Sequence, residues 1–261
     1  MKSISLAACL VLFLWPALGA ESPAAKASPP TSLPADEEDQ PLRDPFASDS
    51  NHAKAPSRIK DPLQPMNRAF FQFNDRLYFW VLKPTAKGYG KLVPRQARTC
   101  IGRLFGNVGY PVHFVNNLLQ GKLKAAGLET GRFVVNSTVG VGGLFDPAKR
   151  WKLEAHPADF DQTLGFFGVG PGIYFDWPVF GPSSARGTAG LAADSLLSPW
   201  NYIDGLGVSL GVPAYNGLNT ASLKLGEYET LKKATMDPYA AMRSAYYESR
   251  ALAVEKCKAK E

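Results

Sequence analysis

Histidine and cysteine are scarce in these 261 residues, and their scarcity removes most catalytic and metal chemistry at the outset. The three histidines, His52, His113 and His156, are dispersed, and with Cys9, Cys100 and Cys257 they give no metal-ligand spacing. Two cysteines beyond the N-terminal segment are too few for a disulfide framework. Gly207-Val208-Ser209-Leu210-Gly211 spells a nucleophile elbow, but that motif requires a downstream histidine and all three lie upstream. Gly168-Val169-Gly170-Pro171-Gly172 has the wrong spacing for a dinucleotide loop. Asp159 and Asp161 with Glu154 read as solvated loop acids rather than a paired acid and base. No catalytic residue, metal or cofactor is expected, and an enzyme is disfavoured.

Long apolar runs are also missing. Beyond the N-terminus no stretch approaches the ~20 apolar residues of a membrane-spanning helix. Neither regularly spaced alternating segments nor an internal repeat is present, which argues against a transmembrane barrel or a solenoid.

What the chain does have begins with an export signal. Lys2 precedes an apolar core from Ile4 to Leu14, and Pro16-Ala17-Leu18-Gly19-Ala20 supplies small residues for cleavage, so residues 1–20 are expected to be a signal peptide. Leu6-Ala7-Ala8-Cys9 spells a lipobox that would make Cys9 a lipidated first residue, but too little apolar core precedes it; cleavage near Ala20 is the expectation. Residues 21–60, rich in Pro, Ala, Ser and Asp, read as a disordered linker.

The net charge of +6 is concentrated between residues 61 and 127, where Arg68, Arg76, Lys83, Lys87, Lys91, Arg95, Arg98, Arg103, Lys122 and Lys124 face only Asp61 and Asp75. Such a face suits a polyanion, nucleic acid and anionic lipid alike.

Periodicity predicts short amphipathic helices. One runs from Pro62, capped by Asp61, to Lys83-Pro84, with an apolar stripe of Met66, Phe70, Phe73, Leu77 and Trp80, and with Tyr78, Phe79 and Leu82 off that stripe. A helix apolar nearly all round is buried or faces lipid. Others are expected from Pro94 to Phe105, Tyr110 to Gly121, Lys122 to Ser137, Gly187 to Leu197, Ala214 to Leu231 and Tyr239 to Lys256.

The most unusual stretch runs from Asn136 to Arg186. Gly140, Gly142, Gly143, Gly165, Gly168, Gly170 and Gly172 are too dense for helix interiors, yet Val, Leu and Phe stand between them rather than linker residues. Irregular backbone in an apolar setting is tolerated where protein buries it or where it lines a wet cavity.

Several motifs in order carry a resemblance: Asp61-Pro62-Leu63, Asn67-Arg68, Phe73-Asn74, Lys83-Pro84, Val93-Pro94, Ala97-Arg98, Asn136 to Ala148, Gln162-Thr163-Leu164-Gly165, Gly168 to Gly172 with Tyr174, Gly181-Pro182-Ser183 with Arg186, and Asp237-Pro238-Tyr239. Over roughly residues 61–250 the chain resembles the MlaA/VacJ family of outer-membrane lipoproteins. The resemblance implies an all-α domain over 61–258, a ring of short amphipathic helices with Gly/Pro-rich irregular segments, embedded from one leaflet. It implies removal of mislocalised phospholipids from the outer leaflet through a central channel to a periplasmic lipid-carrier protein, in company with trimeric porins and with no nucleic-acid partner. On that footing Asn136, Gly140, Gly142, Gly143, Asp146, Gly168, Gly170 and Gly172 are candidates for the lipid path, and Phe70, Phe73 and Trp80 for membrane anchoring. A soluble periplasmic binding or scaffold protein is the alternative.

Overall fold

Asp61 introduces the first helix without capping it. In the computed structural model, which describes residues 61–259, helix α1 (Gln64–Leu77) starts with Pro65 in its first turn, and the Asp61 carboxylate turns away to take hydrogen bonds from Asn67, Tyr239 and Arg243. The expected signal peptide, linker and Cys9 lie outside the described residues.

Pro84 was expected to end this helix, and it does not. A π-helical turn (Tyr78–Leu82) leads directly into α2 (Lys83–Leu92), which places Pro84 in the first turn of the new segment, where a missing N–H does least harm. The chain continues through α3 (Arg95–Val108), α4 (Tyr110–Leu119) and α5 (Leu123–Thr138), close to the expected bounds. The short helices α6 (Pro147–Arg150) and α7 (Phe160–Phe166) follow, each capped by an aspartate, Asp146 and Asp159, that accepts a backbone N–H.

The described residues contain one sheet, a hairpin that the sequence reading did not anticipate. Strands β1 (Tyr174–Trp177) and β2 (Gly181–Ser184) pair antiparallel, Tyr174 opposite Ser184 and Trp177 opposite Gly181. Then come α8 (Ala185–Leu197), a 3₁₀ turn (Pro199–Tyr202), α9 (Leu206–Leu223), α10 (Glu227–Ala234) and α11 (Pro238–Lys258). The single helix expected from Ala214 to Leu231 is thus two, parted at Gly226, whose φ of 99° no other residue type adopts readily. The rejected nucleophile elbow sits inside α9. Helix α4 packs on α5, α7 on α8 and α11, and α9 on α2 and α3.

The interior is polar to an unusual degree. Asn67, Asn116 and Asn219 are fully buried, and Asn117, Asp161, Thr163 and Asp176 nearly so, while Leu123, Val134, Phe145, Trp151 and Phe167 are more than half exposed. At the end of α4, Asn116, Asn117 and the following Gln120 point in, and Leu118 and Leu119 point out.

The buried asparagines are hydrogen-bonded, while the side-chain oxygen of the buried Gln120 has no partner. Asn116 donates to Asp194 at 2.9 Å and accepts from the Thr163 hydroxyl at 2.7 Å, which in turn takes a hydrogen bond from Gln120 at 3.0 Å. Arg186 donates through Nε to Asp161 at 2.7 Å, both side chains being buried. The apolar nucleus is small and aromatic, Tyr174, Tyr239 and Tyr246 with Phe71 and Tyr247 against them. Cys100 and Cys257 are free.

Candidate functional site

Elements from α1 to α9 surround an apolar cavity of about 460 Å³. The first helix contributes Leu77 and the π turn Tyr78, Val81 and Leu82; Phe105, Val108 and Val112 come from α3 and α4, Phe180 from the hairpin turn, Trp200 from the 3₁₀ turn, and Pro213 and Leu218 from α9. Its volume falls within the roughly 300–1,000 Å³ of small-molecule sites. Two of its walls carry helix irregularities, since the π turn widens the first helix and Pro213 removes one hydrogen bond from α9. Burial and the nearby Glu229 carboxylate, which accepts from its hydroxyl, raise the pKa of Tyr78.

The α3–α4 wall has a second face. Arg103, Asn107, Tyr110 and His113 look away from the apolar cavity into a polar one of about 220 Å³, completed by Glu129, Arg132, Asn136 and Asp146. Here the structure joins two of the expected path residues. The Asn136 amide donates to Asp146 at 3.1 Å and its carbonyl accepts from the Ala148 N–H at 3.2 Å. Arg132 donates to both Asp146 oxygens, at 3.1 and 3.2 Å. Burial works against ionisation of Asp146, but the Arg132 charge, the Asn136 amide and the Lys149 N–H outweigh it and lower the pKa.

The glycine turn between α5 and α6 leans on the same wall. A Cβ on Gly140 would strike the Asn136 and Phe145 backbones, and one on Gly143, whose φ is 98°, would lie 2.5 Å from the Asn107 side chain. Val141 between them has φ 54°, which is strained for a β-branched residue. Val139, Val141 and Phe145 point their side chains outward from the turn.

Gly168, Gly170 and Gly172 stand apart, in the turn from α7 to β1, and line neither cavity. Of the expected anchors, Phe73 in α1 and Trp80 in the π turn are exposed, and Phe70 is half-buried. The sequence reading missed the apolar lining altogether. Its one legible signal was the run from Tyr78 to Leu82, apolar on more sides than one packing partner can cover.

Comparison with known proteins now decides the family, because the MlaA lipoprotein family model matches residues 59–253. The chain belongs to the MlaA lipoprotein family. Among relatives, the intermembrane phospholipid transport system lipoprotein MlaA of Haemophilus influenzae is 31% identical over 213 residues, 77% of this chain and 82% of that protein. Its Escherichia coli K12 counterpart is 31% identical over 192 residues, 72% of this chain and 76% of that protein. An uncharacterised Rickettsia bellii protein is 33% identical over 198 residues, covering 76% and 78%. A solved structure concerned with maintenance of bacterial outer-membrane lipid asymmetry superposes with a TM-score of 0.67 at 32% identity, over 75% of this chain and 99% of the other. The fold is therefore the family's all-helical one.

Proposed function

We propose that this protein resides in the outer membrane, facing the periplasm, and removes mislocalised phospholipids from the outer leaflet, passing their acyl chains through the apolar cavity to a periplasmic lipid carrier. The observation that carries this reading is the cavity itself, 460 Å³ walled by Leu77, Val81, Leu82, Phe105, Val108 and Val112. The reversed polarity of the fold supports a leaflet location. Water does not favour buried asparagines under exposed Leu, Val, Phe and Trp, whereas an acyl environment does. No described helix is long and apolar enough to cross the bilayer, so Phe73 and Trp80 serve as anchors from one side, with Phe70 behind them.

Within this reading Gly140 and Gly143 set the turn that holds Asn107 and the α3 wall in place, Gly142 completes that turn, and Asn136 and Asp146 fix its far end. Gly168, Gly170 and Gly172 shape the approach to the hairpin whose Phe180 enters the cavity. Export with cleavage near Ala20 rests on the N-terminal sequence, and association with trimeric porins and delivery to a carrier rest on the resemblance to the family.

The test is complementation of a Gram-negative host that lacks its own family member. Val108→Trp, which fills the cavity from α3, is expected to leave protein abundance normal while phospholipid accumulates on the cell surface as it does without the protein. Normal surface lipid with that variant would remove the cavity from the path. Release of the wild-type protein from envelopes without detergent would favour a soluble periplasmic binding or scaffold protein instead.

A further inference from the structure

Between the hairpin, α1 and α11 lies a cavity of about 80 Å³ that adjoins the large apolar one, sharing Asn74, Tyr78, Phe180 and Gly181 with it. Its walls are largely aromatic, with Phe71, Tyr228 and Tyr246 joining Tyr78 and Phe180. Into them is set the carboxylate of Asp176, which is 2% exposed. One of its oxygens, Oδ1, accepts from the Asn74 amide at 3.1 Å. The other, Oδ2, is buried and has no partner.

The surrounding carboxylates are all matched. Asp75, on the same cavity wall, takes Lys232 Nζ at 2.6 Å and the Tyr228 hydroxyl at 2.7 Å. Glu229 takes Lys83 at 2.9 Å, and Asp61 takes Arg243 at 3.0 Å. Asp176 faces tyrosines, an asparagine and the already paired Asp75, with no cation acting on it. Burial pushes its pKa up to about 7, against a smaller opposing effect of the Asn74 hydrogen bond. Near neutral pH the group is thus poised between a neutral acid and an unpaired anion, and an arriving cation would favour the anion.

A carboxylate among aromatic rings is the chemistry that recognises an ammonium, which gains from the charge and from cation–π attraction together. The volume is several times what one water occupies, enough for a primary ammonium and the short carbon arm that carries it. We propose that the Asp176 pocket binds the primary ammonium of a phospholipid head group while the acyl chains occupy the adjoining apolar cavity. The proposal rests on the phospholipid reading above, and adds to it a preference for amine-bearing over amine-free head groups.

The experiment uses the full chain in detergent micelles, with native mass spectrometry reading competition between phosphatidylethanolamine and phosphatidylglycerol of identical acyl chains. The wild-type protein is expected to favour the ethanolamine lipid by about thirtyfold, the scale of one desolvated ammonium–ring contact. Asp176→Asn is expected to bind the two lipids equally, with its affinity for phosphatidylglycerol unchanged. Ala245→Leu fills the pocket from α11 without touching the carboxylate and should abolish the preference too, which keeps the question answerable if Asp176→Asn folds poorly.

A preference that survives both substitutions would overturn the assignment. Equal binding by the wild type would overturn it while leaving the phospholipid reading intact, whereas binding of neither lipid would bring down both. A final arm adds free ethanolamine. If it raises the melting temperature of the wild type but not of Asp176→Asn, and no lipid preference is seen, the pocket serves a soluble amine and the head-group source is wrong.

Discussion

Asn67 and Tyr174 stand 107 positions apart, and the buried amide of the first donates to the backbone carbonyl of the second at 3.1 Å. The same side chain accepts from the Asp176 N–H at 3.1 Å, and Asn74, two helical turns on, repeats the pattern with the Trp177 carbonyl at 2.9 Å and the Val179 N–H at 2.7 Å. Two asparagines of α1 thus do for β1 what a third strand would do.

Asn67→Ala strands the Tyr174 carbonyl and the Asp176 N–H in the interior, at about 1–3 kcal/mol for each unmet group. A loss of roughly 2–4 kcal/mol is expected, read from urea unfolding in detergent. Asn67→Asp should fare no better, because a carboxylate cannot donate to Tyr174 and would face Asp61. A change below about 1 kcal/mol would mean that water takes over the amide's bonds.

The glycines of the α5–α6 turn should separate into two grades. Gly140→Ala and Gly143→Ala both meet atoms already in place, backbone for the first and Asn107 for the second, so the turn must move. Gly142→Ala finds open space and bears only the strain of its φ of 70°, about 1 kcal/mol. In a complemented strain Gly143→Val is expected to raise surface phospholipid at near-normal protein abundance, with Gly142→Ala close to wild type. Equal effects at all three positions would show that the turn acts by flexibility rather than by fit.

Stability should fall as pH rises from about 4 to 7. Burial raises Asp194 to about 6, against opposing hydrogen bonds from the Phe160 N–H and Asn116, and raises Asp176 to about 7. The folded chain therefore holds two protons that the unfolded chain releases near 4, and each proton held favours the folded state only while the solution can supply it. The contribution is full below about 4 and lost on passing 6 and then 7. Asp146 and Asp237 are shifted down instead, so their contribution is present above about 4 and disappears only in stronger acid. Unfolding midpoints across this range test the slope, and Asp176→Asn should flatten its upper part.

Phe73 and Trp80 make few demands on the fold, being 49% and 78% exposed. Their joint replacement by Ser should leave the melting temperature in detergent within a few degrees of wild type while shifting protein from envelope to soluble fractions. Adding Phe70→Ser should also lower the melting temperature, because that ring is half-buried. Full membrane retention of the double variant would assign the anchoring elsewhere, to the exposed Leu123, Val134 and Trp151.

Three helix ends announced themselves through local devices, Asp237 ahead of Pro238, Pro94 ahead of Arg95 and Gly121 after Leu119, whereas the caps Asp146 and Asp159 and the break at Gly226 went unread. Pro84 misled because the π turn just before it carries the helix past the proline, with Trp80, four residues back, inside that turn. The burial of Asn67 and Asn116 went unread, since periodicity reports two faces of a helix without saying which is turned inward. The apolar cavity left no signature beyond the run from Tyr78 to Leu82, its walls being drawn from elements spread between Asn74 and Thr220. Of the expected path residues only Asn136 and Asp146 meet, and they meet in the polar cavity, because one arginine, Arg132, draws the end of the turn back onto α5.

An interior of amides, carboxylates, hydroxyls and tyrosines has a thermal consequence. On unfolding, exposed apolar surface raises the heat capacity and exposed polar surface lowers it, so burying Asn67, Asn116, Asn219, Asp161 and Asp176 in place of leucines and valines brings the two contributions toward cancellation. A small heat-capacity change flattens the curve of stability against temperature. The protein should accordingly hold its fold over a wide range, losing little in the cold where fold stability drawn from hydrophobic burial fades first.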